Sequence, residues 1–312
     1  MQATVNATDI VRAIEVWRPQ DAGGPFALCS CVYGDDDHIE EGRRLRRFEL
    51  GEGIVGQSAQ TGQPHIRSCE DLIDDGIDLA HSHVVSIPFM HSGQCKGVVL
   101  LACDESEGNQ GAMELWRPND RGELGLAEAW HSNLERFGLI SKYVKFPRRA
   151  GLPGKVWADR FPRVMGSLGT SQQFLRAAGA KAEGLSTGIG IPLMRTAMQL
   201  DSVLVLLSAN RTPIARAMEV WAMDPDSKKL KIVSADYGAF MDLAPMSRQL
   251  SLGIGEGIAV HVLRDCAPWA TWDLLGVEFP RGEKFLEYGF RWGLGMPVFV
   301  GSEIRAVAVL IN

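Results

Sequence analysis

The sequence has no long uncharged apolar segment, no low-complexity block and no excess of positive charge. No stretch of 18 apolar residues occurs, so we expect no membrane-spanning helix. The 34 Gly and 15 Pro are scattered among 46% hydrophobic and 22% charged residues, which excludes a disordered or collagen-like chain. With 32 Lys and Arg against 38 Asp and Glu, the net charge is -6, so we expect neither nucleic acid nor a membrane surface as a partner.

Cysteine is too sparse for a disulfide scaffold, with 6 residues in a chain of 312. The first residues have neither a basic segment nor an apolar run, so we expect no signal peptide. Together these features predict a cytoplasmic protein whose cysteines are free thiols. They leave the oligomeric state open, a homo-oligomer included.

Four landmarks recur three times along the chain. The first is a short tryptophan segment, and its tryptophans lie 99 and 105 residues apart, at Trp17, Trp116 and Trp221. A glycine-rich turn, a proline-marked strand and a closing apolar strand follow each tryptophan in the same order. This recurrence predicts three copies of one unit of ordinary domain size. The predicted units span residues 1–104, 105–210 and 211–312.

The pattern within one unit predicts an α+β fold. Residues 217–235 give an alternating strand, a turn and a returning strand, which indicates an antiparallel hairpin. A glycine-led helix follows, as at Gly53–Thr61, and we expect further helices over 171–182 and 281–292. The predicted order is β-β-α-β-α-β-β, an antiparallel sheet with helices packed against it.

The third unit carries a resemblance to a known family. The segments concerned are Ser247–Ile258 with its glycine-rich turn, the helix and strand after it, Gly295–Val298 and the closing strand. In this order they resemble a GAF domain, a small sensory module related in architecture to PAS domains. The resemblance extends over all three units. It implies a pocket between the sheet and a variable loop, a bound small molecule and a protein partner that receives the signal. GAF domains commonly carry long flanking helices, but no heptad pattern occurs between these units, so we expect the units to pack directly on one another.

The resemblance places the pocket beside the helix after the glycines, the third strand, the variable loop and the proline-marked strand. Such a pocket is concave and largely apolar, with few polar groups. Polar and aromatic residues of these segments in units 1 and 3 are therefore the candidate ligand contacts. They are His65, His81, His83, Ser86, Trp269, Trp272, Asp273 and Trp292. The alternative is that the large aromatic residues complete a core.

Histidine and cysteine concentrate in unit 1, which holds ten of the thirteen such residues in the chain. Thiolate and imidazole groups bind zinc, iron or haem, although no Cys-x-x-Cys pair occurs here. The metal candidates are His81, His83, Cys29, Cys31 and Cys69. The alternative is buried apolar thiols and exposed loop histidines. Some GAF domains bind a bilin or haem, or reduce free methionine sulfoxide, but the second unit has no cysteine, and the cofactor stays unidentified.

Other motifs have plain structural interpretations. Gly51–Gly56 spells a dinucleotide-binding pattern, but no buried parallel strand follows, so we interpret it as a structural turn. The charged run Asp35–Arg47 contains four arginines of the kind that hold phosphate or carboxylate groups, and we interpret it as a solvated connection. No Gly-x-Ser-x-Gly elbow occurs, and no enzyme activity is expected.

The sequence therefore predicts a non-enzymatic sensory or regulatory protein. It is expected to bind a small molecule in one or more GAF-like pockets and to signal through a partner. Two alternatives stay open. One is an interaction scaffold whose pockets are filled by their own side chains, and the other is a metal-, haem- or redox-active GAF protein that uses the first unit.

Overall fold

The structure is a computed structural model that describes residues 10–21, 23–33, 37–77, 82–253, 256–276 and 279–312. Unit 1 contains β1 (Val11–Pro19), β2 (Phe26–Tyr33), α1 (Asp37–Leu45), β3 (Arg47–Phe48), α2 (Gly53–Thr61), β4 (His65–Ser68), a 3-10 helix (Cys69–Asp75), β5 (Ser82–His91) and β6 (Gln94–Asp104). Unit 2 contains β7 (Gly111–Pro118), β8 (Glu123–Ser132), α3 (Glu135–Tyr143), β9 (Lys145–Pro147), α4 (Gly151–Asp159), β10 (Arg163–Met165), α5 (Ala177–Ala182), β11 (Leu185–Met194) and β12 (Leu200–Ala209). Unit 3 contains β13 (Ala217–Met223), β14 (Leu230–Asp236), α6 (Leu243–Arg248), β15 (Ser251–Leu252), α7 (Gly257–Asp265), β16 (Trp269–Thr271), α8 (Gly282–Glu287), β17 (Gly293–Val300) and β18 (Glu303–Ile311).

Each unit forms one six-stranded antiparallel sheet, and the strand order is the same in all three. The orders are β3-β2-β1-β6-β5-β4, β9-β8-β7-β12-β11-β10 and β15-β14-β13-β18-β17-β16. Trp17, Trp116 and Trp221 lie on the equivalent strands β1, β7 and β13, each beside a shift in register with the second strand. The predicted α+β fold and the equivalence of the tryptophans are therefore confirmed.

Several helices differ from their predicted bounds. Only Ala177–Ala182 of the predicted 171–182 is helical, because Ser171 accepts a hydrogen bond from the backbone N–H of Gln173 and favours a turn there. The helix predicted over 281–292 ends at Glu287, and Gly289 follows with a φ of 76°. That left-handed conformation suits glycine and stops the helix. The prediction also omitted the two- and three-residue strands β3, β9 and β15, which are too short for a periodic pattern.

The glycine at the fourth residue of α2 and of α4, Gly56 and Gly154, has a steric cause. A side chain at Gly56 would place its Cβ 1.9 Å from the carbonyl oxygen of Glu49, and one at Gly154 would lie 2.2 Å from that of Pro147. No side chain fits at such distances. The dinucleotide-like pattern at Gly51–Gly56 is thus a close backbone contact, as the structural interpretation predicted.

One face of every sheet packs into a single apolar core shared by the three units. Ile14, Met113 and Met218 occupy equivalent positions on the first strands, are fully buried and belong to this core. Their cross-strand partners, Leu101, Leu206 and Leu310, belong to it as well. The expectation that the units pack directly on one another is confirmed.

The units close into a ring. Edge strand β4 of unit 1 contacts β8 of unit 2, β10 contacts β14 of unit 3, and β16 contacts β2 of unit 1. Arg18 donates to the carbonyl of Pro268 at 2.6 Å, and Arg117 donates to the carbonyl of Pro64 at 3.0 Å. These two arginines directly follow equivalent tryptophans, so the contacts between units repeat with the units.

Candidate functional site

The opposite face of each sheet, under the helices, holds a buried glutamate. Side chains two positions apart on a strand point to the same face. The glutamate two residues before each repeated tryptophan is therefore placed to accept a hydrogen bond from the indole N–H. The pairs are Trp17 to Glu15 at 2.7 Å, Trp116 to Glu114 at 2.9 Å and Trp221 to Glu219 at 2.8 Å.

A buried arginine binds both carboxylate oxygens of each glutamate. Arg43 Nε and Nη2 donate to Glu15 at 2.8 and 2.6 Å. Arg176 binds Glu114 through Nη1 and Nη2, and Arg281 binds Glu219 at 2.6 and 3.1 Å. All six residues are at most 5% exposed. We call each glutamate, arginine and tryptophan set a Glu–Arg centre.

A further side chain completes each Glu–Arg centre. Tyr33 and Tyr237 donate from their hydroxyls to Glu15 and Glu219 at 2.6 and 2.7 Å. His131 Nε2 lies 2.9 Å from Glu114 Oε1 at the equivalent place in unit 2. The carboxylates therefore bind groups of this chain on every side, and bidentate, charge-assisted bonds of this kind are the strongest a carboxylate forms.

The surroundings shift the pKa of Glu114, Tyr33 and Tyr237 within these centres. Burial opposes ionisation of Glu114, but the charge of Arg176 and the hydrogen bonds from His131 and Arg176 outweigh it and lower the pKa of that carboxyl. Burial and the nearby carboxylates raise the pKa of Tyr33 and of Tyr237. The centre of unit 2 accordingly holds an ionised glutamate, and the centres of units 1 and 3 hold a neutral tyrosine. In all three units the arginine fills space between sheet and helices.

Sequence analysis did not find these centres. The interpretation of Asp35–Arg47 as a solvated connection is wrong for Arg43, which is 3% exposed because it pairs with Glu15. A detectable pattern existed in the recurrence of a charged residue at a fixed offset from each tryptophan, within an otherwise apolar strand. The partner arginines share an offset in only two units: Arg176 and Arg281 each lie 62 residues after their glutamates, whereas Arg43 lies 28 residues after Glu15.

The described candidate contacts of unit 1 are divided between the space under α2 and the edge towards unit 2. Ser86 is buried under α2, with its hydroxyl 2.7 Å from that of Ser58. His65 and His83 face unit 2 instead: His65 Nδ1 lies 3.5 Å from Glu128 Oε1, and His83 Nδ1 lies 3.0 Å from Glu105 Oε2. His81 lies outside the described residues.

The candidate contacts of unit 3 are also spread out. Trp269 stacks on His261 with ring centroids 4.6 Å apart, while Trp272 is 74% exposed. Asp273 accepts hydrogen bonds from the backbone of Leu275 and Gly276 in a turn. Trp292 is 4% exposed within the shared core. The seven described residues thus form no common pocket, and the role of all eight candidates in binding stays a prediction.

The metal candidates of the described residues are not brought together. Among those residues, no three His, Cys, Asp or Glu side chains are grouped to hold a metal ion. Cys31 is buried, Cys29 is exposed, and burial raises the pKa of Cys69 to about 12. A thiol with such a pKa is protonated at neutral pH, whereas metals bind the thiolate.

A cleft lies between units 2 and 3. It encloses about 450 Å³ of empty space, including its open mouth. Thr187 and Ser208 of unit 2, Asn210 and Arg216 of the connection, and Phe240 of unit 3 are among its lining residues. Thr187 Oγ1 donates to Asp236 Oδ1 across the junction at 2.8 Å. Sequence analysis missed this cleft because no repeat pattern reveals how two units meet.

No family model matches the sequence, and no curated protein matches it. Similar solved structures include a GAF domain of A. aeolicus in an inactive state, with 17% identity over 31% of this chain and 57% of that chain and a TM-score of 0.26. The GAF domain from Acinetobacter phosphoenolpyruvate-protein phosphotransferase has 17% identity, 33% and 55% coverage and a TM-score of 0.24. A GAF domain/HD domain protein from Geobacter sulfurreducens has 13% identity, 33% and 65% coverage and a TM-score of 0.28.

Each match covers about one unit, and the chain spans just over half the length of the first two structures. The likeness concerns the fold of single units and carries no argument about ligand or activity. The three sheets share one strand order, so the chain consists of three units of one fold, and single units are what the GAF domain structures resemble. None of the helices in the described part of the chain has the length and apolar character needed to span a bilayer.

Removing one arginine should show how strongly a Glu–Arg centre holds its unit. We expect Arg176→Ala to lower the free energy of unfolding by about 3–5 kcal/mol, because it leaves Glu114 buried without its cation. In the same unit, Arg163 pairs with Asp159, which is 42% exposed. We therefore expect Arg163→Ala to lower the free energy of unfolding by at most about 1 kcal/mol. Urea unfolding measures both, and equal losses would contradict the account.

Glu128 should make stability at the junction of units 1 and 2 depend on pH. Burial opposes its ionisation, but hydrogen bonds from His65 and the backbone of Ile66 lower its pKa from 4.5 to about 2. A carboxyl whose pKa is lower in the folded chain stabilises it above the unfolded pKa, and this contribution is lost as pH falls from about 4.5 towards 2.

The free energy of unfolding of each chain is expressed relative to its own value at pH 7. Between pH 5 and 3, this quantity should fall less in the Glu128→Gln variant than in the natural chain. Urea unfolding at each pH measures this difference. Glu123→Gln, a change of the same kind on the same strand, should keep the natural pH dependence. A Glu128→Gln variant with the natural pH dependence would show that this carboxyl does not link stability to pH.

Proposed function

We propose that the chain is a non-enzymatic regulatory protein that binds a small molecule between its units and signals through a protein partner. The observation that carries this proposal is that each unit fills the space between its sheet and helices with its own Glu–Arg centre. A ligand inside a unit would have to displace a buried arginine from its carboxylate. The cleft between units 2 and 3 needs no such displacement.

The chemistry of the buried groups supports a binding role over a catalytic one. Burial raises the pKa of Cys69 to about 12 and of Cys95 to about 11, which makes both thiols poor nucleophiles. The buried glutamates accept hydrogen bonds on both carboxylate oxygens from an arginine of the same unit, so they are badly placed to exchange protons with a substrate. A net charge of -6 favours partners other than nucleic acid or anionic membranes, and the cytoplasm stays the expected location.

An interaction scaffold is the second candidate. The same Glu–Arg centres favour it, because they fill the space between sheet and helices in all three units. The ring of units then offers its outer surface to partners. The two candidates differ in one respect: the sensor carries a small molecule in the cleft at some stage of its use, and the scaffold does not.

Native mass spectrometry of the purified full chain separates the two. For the sensor we expect a co-purifying small mass at one per chain, which disappears in Thr187→Trp because the indole occupies the cleft. An absorption spectrum should show no visible band. A chain of unmodified mass, with no stabilisation in a small-molecule thermal-shift screen, would support the scaffold, and a visible band would support haem or bilin.

A further inference from the structure

The three junctions between units are built from equivalent positions. The first position lies at the start of the fifth strand of a unit, opposite a residue of the sixth strand or its end: Cys103, Ser208 or Asn312. The second position lies near the end of the second strand of the next unit, opposite a residue of the first strand: Met113, Met218 or Ile14. At the junction of units 1 and 2 these are His83 and Trp130, with ring centroids 6.1 Å apart. At the junction of units 3 and 1 they are Trp292 and Val32, both buried in the shared core. A bulky aromatic residue therefore fills each of these junctions.

The junction of units 2 and 3 lacks such a residue. Its equivalent positions hold Thr187 and Asp236, which are smaller and polar and bind each other. Asp236 also accepts a hydrogen bond from the backbone N–H of Gly238 at 2.9 Å. The cleft opens where the other junctions place indole rings, so the difference in sequence explains the empty space.

The lining of this cleft combines an apolar surface with one positively charged side chain. Pro213, Ala215 and Phe240 supply apolar surface. Arg216 contributes the cation of the lining, and its Nη1 donates to the carbonyl of Gly289 at 3.1 Å. The Asn210 side chain is exposed at the cleft, and no side-chain hydrogen bond of its amide is found in the described part of the chain.

The charges near the cleft favour an anion. The carboxylate of Asp236 lies behind the lining and is satisfied by Thr187 and Gly238. Arg216 and the amide N–H groups of Asn210 are donors, and a guanidinium with an amide is a good match for a carboxylate. The hydroxyl of Ser208 accepts from the backbone N–H of Ile214 at 3.0 Å, a bond that does not use its own O–H.

We propose that the cleft between units 2 and 3 binds a small organic carboxylate, with its anionic group towards Arg216 and Asn210 and its apolar part against Phe240. This inference rests on the proposed function and names the ligand class. A molecule of this kind bridges the two units, because Thr187 and Ser208 belong to unit 2 and Phe240 to unit 3.

The test uses benzoate and its neutral isostere benzamide on the full chain, at constant ionic strength set with sodium chloride. We expect benzoate to raise the melting temperature saturably and to bind at least tenfold more tightly than benzamide by calorimetric titration. A tenfold or larger ratio is the size that a charge-assisted hydrogen bond gives.

Three variants locate the site. Thr187→Trp should abolish benzoate binding, and the strand position accepts tryptophan because unit 3 has Trp292 there. Arg216→Gln should weaken benzoate binding about tenfold or more and leave benzamide unchanged. Arg211→Gln removes the same charge from the same connection outside the cleft lining and should change neither. The melting temperature without ligand reports whether each variant folds.

Each other outcome overturns part of the inference. Equal binding of benzamide and benzoate would reject a carboxylate ligand, and equal losses in Arg216→Gln and Arg211→Gln would reject recognition by Arg216. Benzoate binding that persists in folded Thr187→Trp would place the site elsewhere. No saturable response to either probe would reject the cleft as a carboxylate site, whereas a co-purifying neutral mass lost in Thr187→Trp would still support the regulatory function.

Discussion

Each sheet has two apolar faces and carries helices on only one of them, and the rest of the structure follows from this constraint. An uncovered apolar face costs free energy in proportion to its area. The chain covers three such faces by packing them on one another, which places Ile14, Met113 and Met218 in one core. Three sheets around one core bring the edge of unit 3 back to unit 1, and the ring closes. The helices that flank many GAF domains are unnecessary in this arrangement.

The helix-covered face of each sheet carries a buried glutamate, and all three units compensate its charge with an arginine. A buried glutamate is tolerated only with a cation and a full set of hydrogen bonds. Arg43 comes from α1, whereas Arg176 and Arg281 directly precede α5 and α8. The same centre is thus assembled from two places in the chain, so the requirement is on charge and geometry rather than on a sequence position. Because the arginine lies between sheet and helices, the interior of each unit is filled by side chains of the unit itself.

The repeat, the antiparallel sheets and the direct packing of the units could be predicted from the sequence, because tryptophans, glycine turns and apolar strands recur at regular spacing. The Glu–Arg centres were not predicted, because the spacing of 62 residues from glutamate to arginine holds in units 2 and 3 only, and Arg43 of unit 1 follows its glutamate by 28 residues. The cleft depends on which residues of separate units meet, as Thr187 and Asp236 do, and no single-chain periodicity reports such a contact. Helix lengths were misjudged where a local bond at Ser171 or a left-handed glycine at Gly289 decided the backbone.

Small-angle X-ray scattering of the full chain distinguishes the closed ring from an extended array of units. A single compact body of this length has a radius of gyration of roughly 20 Å, whereas three separate units of the same size in a row would have roughly 28 Å. The account predicts the smaller value and a distance distribution with one peak. A radius near the larger value would contradict it, because the shared core cannot form in an extended array.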